Sequence, residues 1–121
     1  MKRLALIAAA VASIATSAVA GDPIELSEAQ IEAVQSVVRD GLKDPDSARF
    51  GTIAAGVIDE TGFMVCGYVN ARNSFGGYVG MTVFSGVMVA KNNVFIQATI
   101  GGTDKVQENI RKICSDHGAE I

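Results

Sequence analysis

The chain predicts an α+β fold: a four-stranded antiparallel meander with an N-terminal and a C-terminal helix packed on one face. Three observations carry this. Apolar residues recur at helical spacing near both ends of the chain, the middle switches to a period of two broken by turn residues, and two cysteines fall one in each kind of segment. The expected order is α-β-β-β-β-α with one disulfide.

The opening stretch MKRLALIAAAVASIATSAVA stands apart from this domain. Lys2 and Arg3 precede an apolar run from Leu4 to Ile14, and Ala18-Val19-Ala20 forms an A-x-A site before Gly21. That order is the anatomy of a secretory signal peptide, with cleavage expected after Ala20. A membrane-spanning helix needs roughly 20 strongly apolar residues, whereas Ala, Ser and Thr dominate the second half here. Residues 21–121 are then expected to be one small domain, periplasmic or secreted, with no stable membrane insertion. Gly21 stands where a lipoprotein would carry cysteine.

The mature helix begins within ELSEAQIEAVQSVVRDGLKDPDSARF. Ser27 followed three residues later by Gln30 is a capping box. Ile31, Val34, Val38 and Leu42 recur along one stripe, with Glu28, Glu32, Gln35 and Arg39 on other faces. Asp44-Pro45 is expected to end this helix, because the residue before proline avoids the helical region. DPDSARF then reads as a short helical turn that brings Phe50 to the core.

From Gly51 the period is two. GTIAAGVID, the turn Glu60-Thr61-Gly62 and FMVCGYVN form the first expected hairpin. In its second strand Met64, Cys66 and Tyr68 alternate with Phe63, Val65, Gly67 and Val69. YVGMTVFSGVMVA and NVFIQATI form the second pair, joined at Lys91-Asn92-Asn93, where asparagine tolerates positive φ. Gly101-Gly102 breaks the sheet, and Thr103-Asp104 begins the last helix. Val106, Ile110, Ile113 and Cys114 share its apolar face, which predicts a Cys66–Cys114 bond and burial of the sheet face carrying Met64, Cys66 and Tyr68. In an oxidising compartment such a pair is expected to be bonded. In the loop-entropy account it stabilises the fold by roughly 4 kcal/mol.

Composition removes several functions. Without Lys2 and Arg3 the 10 basic residues fall to eight against 13 acidic ones, a net charge of −5. Nucleic acid is excluded as partner, since phosphate binding needs a basic stripe. Cys114 with His117 one turn later fails as a nucleophile and base, because the cysteine sits on an apolar stripe near a helix C-terminus, which disfavours thiolate. Asp59-Glu60 diverges into solvent in a turn and supplies no buried general acid. Asp44, Asp46 and Ser47 read as capping residues, and the one histidine makes no metal shell. No catalytic residue, metal or cofactor is expected, and the protein is not read as an enzyme.

What remains is the loop between the two hairpins. Asn70, Arg72, Asn73, Phe75 and Tyr78 concentrate hydrogen-bonding and aromatic side chains on a segment longer than a tight turn, where a rigid sheet positions binding residues. The same residues also serve as turn formers, with Asn and Gly supplying positive φ.

Two segments together, LKDPDSARFG at 42–51 and VCGYVNARNSFGGYVGMTVF at 65–84, resemble the paired signature of small exported proteins of Proteobacteria and their prophages. In such relatives a proline often precedes the phenylalanine where this chain has Val83 before Phe84. The resemblance implies an exported domain and carries over no catalytic residue. The functional expectation is an exported, non-enzymatic binding or structural module of the cell envelope, acting on another protein or envelope component through the loop at 70–78. The alternative is an inhibitor of a periplasmic or foreign hydrolase, lysozyme-like or protease, since a net charge of −5 attracts a cationic lysozyme.

Overall fold

A computed structural model describes residues 19–121. The expected signal peptide lies outside the described residues apart from Val19 and Ala20. Among the described residues no helix is long and apolar enough to cross a membrane.

The capping box forms as the sequence predicts. Ser27 accepts the Gln30 N–H on its side chain, Gln30 Oε1 accepts the Ser27 N–H, and helix α1 runs from Glu28 to Asp40. Gln30 Nε2 also donates to Asn93 Oδ1 at 2.9 Å, tying the helix start to the distant second hairpin turn. The helix stops at Gly41, ahead of the expected Asp44-Pro45, because Gly41 N–H and Leu42 N–H bond back to Val38 and Arg39. Pro45–Ser47 is a separate 3-10 turn. It delivers Phe50, whose ring meets Phe84 edge-on at 6.1 Å and lies under the Arg39 guanidinium.

The sheet has five strands, one more than expected. Strand β1 is Pro23–Ile24, β2 Arg49–Asp59, β3 Gly62–Asn70, β4 Thr82–Val89 and β5 Val94–Ile100, all antiparallel and in sequential order. β1 pairs through Pro23 with Gly56 and through Ile24 with Ala55. Two residues are too few to show alternation, and a proline at an edge strand gives up no ladder bond. The second hairpin turn uses Asn93 at a φ of 55°. Helix α2, Asp104–Asp116, starts at Thr103, whose side chain accepts the Val106 N–H.

The two helices lie on opposite faces of the sheet, which corrects the expectation of one shared face. Val65 packs with Val34 and Val38 of α1, and the next residue, Cys66, packs with Ile110 and Cys114 of α2. Neighbouring strand residues point to opposite sides, so the layers run helix, sheet, helix. The larger core is on the α1 side, where Phe63, Val65, Phe84, Met88 and Phe95 join Val34 and Val38. The face carrying Met64, Cys66 and Tyr68 is covered too, and is not the single buried one. The apolar stripe of α2 is narrower than expected: Ile110 and Cys114 are buried, while Val106 and Ile113 are exposed.

The disulfide joins Cys66 of β3 to Cys114 of α2, both fully buried, with Cα atoms 6.2 Å apart. Such a bond points to an oxidising, non-cytoplasmic compartment. On the other face two cross-strand aromatics occupy the space above glycines. The Phe84 ring covers Gly67 and the Phe95 ring covers Gly86, so neither position has room for a Cβ.

Candidate functional site

Residues 71–81 connect β3 to β4 and form a hairpin tip of their own. Arg72 and Tyr78 pair as an isolated antiparallel bridge. Beyond it Asn73 organises the turn: its N–H donates to Gly77 O at 2.9 Å, and its Oδ1 accepts the N–H groups of Phe75 and Gly77 at 2.9 and 3.2 Å. This is the Asx geometry that lets a short polar side chain replace a backbone acceptor. Gly76 takes a φ of 79°, which the chain needs to close the turn. At the loop base Asn70 Oδ1 accepts the Gly80 N–H at 3.0 Å.

The tip is braced against the 3-10 turn. Arg72 N–H donates to Ser47 Oγ at 2.8 Å, Ser47 Oγ donates to Asp44 O at 2.7 Å, and Tyr78 OH donates to Ser47 O at 3.0 Å. Arg72 Nε lies 3.1 Å from Asp44 Oδ2, a half-exposed ion pair of modest energy. The Arg49 guanidinium stacks over the Tyr78 ring at 4.1 Å. Ser47 is the buried polar residue at the centre of this brace, 4 % exposed and fully hydrogen-bonded.

The five residues singled out from sequence therefore divide. Asn70 and Asn73 are occupied by backbone N–H groups, and Arg72 and Tyr78 face the 3-10 turn. Phe75 is the most exposed large apolar side chain of the described residues, 97 % exposed at the tip. Val79 and Met81 continue the exposed apolar surface toward β4. Sequence reasoning gave Asp44 and Ser47 a capping role alone and passed over Arg49; the Asp44 side chain makes no cap bond to the 3-10 turn, and all three residues hold the loop. The signal lay in the pairing of segments 42–51 and 65–84, which touch each other in space.

Beside the loop a cleft of about 240 Å³ opens between the end of α1 and the sheet, floored by Leu42, Val69, Ala71, Val79 and Ile100. The residues set aside as chemical groups are structural where they sit. Asp59 Oδ1 accepts from Thr61 Oγ1, Thr61 N–H and Gly62 N–H, and these bonds, led by the Thr61 hydroxyl, hold its carboxyl below the ordinary range. His117 Nδ1 lies 2.8 Å from Ile113 O at the end of α2. Among the described residues no three His, Cys, Asp or Glu side chains converge to hold a metal.

No protein family, curated protein or solved structure matches the chain.

Proposed function

We propose that this protein is an exported, non-enzymatic binding module of the cell envelope that docks on another macromolecule through the loop at 70–78, with Phe75 as anchor. The observation that carries the reading is Phe75, 97 % exposed on a tip that Asn73 and Tyr78 hold in shape. Burying a phenylalanine is worth about 1.5–3 kcal/mol, and a tip already held in shape loses little entropy on docking. Aromatic residues, phenylalanine among them, are enriched at protein interfaces.

The test places a photo-crosslinking aromatic amino acid at position 75 in the exported protein, and at the exposed Lys112 of α2 as control. A discrete adduct at 75 and none at 112 is expected. Absence of an adduct at 75, or equal labelling at both, overturns the reading.

Inhibition of a hydrolase is a second reading, supported by the same braced tip, because a projecting rigid hairpin enters a substrate cleft with little backbone movement. Stoichiometric loss of lysozyme or protease activity on adding the purified protein would support it.

A further inference from the structure

The cleft beside the loop differs in charge from the molecule around it. Its charged lining residues are Lys43 and Arg72, and no carboxylate lines it, although the chain carries 13 acidic residues. A larger hollow of about 590 Å³ beside β1 is lined by Glu25 and Glu120 instead. Arg72 is positioned by Asp44, while exposed Lys43 has no ion pair among the described residues.

We infer that this cleft binds the C-terminal residue of a partner polypeptide, taking an aliphatic side chain on its floor and the free α-carboxylate on Lys43 and Arg72. A C-terminal residue carries both groups on one α-carbon, which suits a cleft lined by aliphatic residues together with Lys43 and the Asp44-paired Arg72. Charge-assisted bonds from such cations to a carboxylate are about twice as strong as neutral ones, and capture of a chain-end carboxylate is a recurring mode of peptide recognition.

The cleft has room for one aliphatic side chain, with the rest of the partner chain leaving through its open side. A cavity of about 150 Å³ holds benzene, and pockets for drug-sized molecules begin near 300 Å³. A cleft of about 240 Å³ lies between the two. Gly41 helps keep it open, since a Cβ there would stand 3.0 Å from Ile100 Cδ1. Asp44 offsets part of the Arg72 charge, so Lys43, with no ion pair among the described residues, is the cation that an approaching carboxylate meets first at this rim.

The inference rests on the docking reading, since the chain end belongs to the partner that the loop engages. It is separable from that reading because Phe75 does not line the cleft.

The experiment is an NMR titration of the oxidised protein with three probes: the peptide acetyl-Gly-Ser-Gly-Leu, the same peptide amidated at its C-terminus, and octanoate. Saturable shifts at Leu42, Val69 and Ile100 are expected with the free acid. Amidation, or Lys43→Glu in an unchanged fold, should weaken binding about tenfold or more, the usual cost of losing a hydrogen bond to a charged group. Phe75→Ser should leave peptide affinity within about twofold, as expected for a residue outside the cleft. Equal binding of the amide, or no shifts at the cleft, overturns the inference. Octanoate binding as tightly as the peptide overturns the assignment to a chain end. Loss of crosslinking at position 75 with intact peptide binding removes the docking reading alone, and the converse removes this one alone.

Discussion

The Tyr78 hydroxyl donates to the carbonyl oxygen of Ser47 across 31 positions of sequence, at 3.0 Å. With the Arg72 N–H on Ser47 Oγ, it makes the loop and the 3-10 turn one surface. Tyr78→Phe keeps the ring under Arg49 and removes only this bond. Stability should fall by about 1 kcal/mol, lowering Tm by about 4–8 °C. Thermal unfolding followed by circular dichroism reads this, and an unchanged Tm would show that the bond contributes nothing.

Phe75 should behave in the opposite way. Its side chain meets solvent, so Phe75→Ser should change stability by no more than about 0.5 kcal/mol. The pair of variants thus separates the tip from its brace in one denaturation experiment.

Replacing Cys66 and Cys114 together by alanine opens a link spanning 48 positions. Loss of such a bond from a small domain costs about 2–5 kcal/mol. Urea denaturation of the double variant, compared with wild type with and without reductant, measures it. Reductant should leave the double variant unaffected.

Gly56 sits where β2 passes over the end of α2, and a Cβ on it would collide with the carbonyl of His117. Backbone cannot swing aside as a flexible side-chain tip does. Gly56→Ala should cost about 3 kcal/mol or more, among the larger single-site effects, whereas Gly77→Ala, with only the Asn73 side chain near, should cost far less.

The Asp59 carboxyl is held below 3.8 by its hydrogen bonds from Thr61 and Gly62. A depressed folded value adds stability above the unfolded value and loses it as pH falls through the folded one. The contribution should therefore be present at neutral pH and disappear below about pH 3.8, where Asp59→Asn and wild type should converge. NMR titration of Asp59 should also move toward the ordinary range in Thr61→Ala, which removes the leading cause.

Much of the scaffold was legible in the residues. Ser27 and Gln30 announced the capping box, Asn93 the second hairpin turn, and the two cysteines their own pairing. Cys66 points to one buried face, yet Phe63, Val65 and Val69 on the other side of the strand are as apolar as Met64, Cys66 and Tyr68, so the strand itself calls for a helix on each face. A strand apolar on both sides is buried on both sides. β1 was missed because pairing of Pro23 and Ile24 depends on Gly56 and Ala55, far along the chain. In the loop, sequence identified the segment but not the division of labour. That Arg72 is held by Ser47 and Asp44 depends on a turn more than twenty residues away in sequence, which no local pattern records.

The contact between the 3-10 turn and the loop has an evolutionary consequence. Asp44, Ser47, Arg72 and Tyr78 form one joint written in two distant places, so a change in either half must be answered in the other. Lineages of this fold should exchange Asp44 and Arg72 together, while position 75, free of that joint, can drift toward whatever its partner requires.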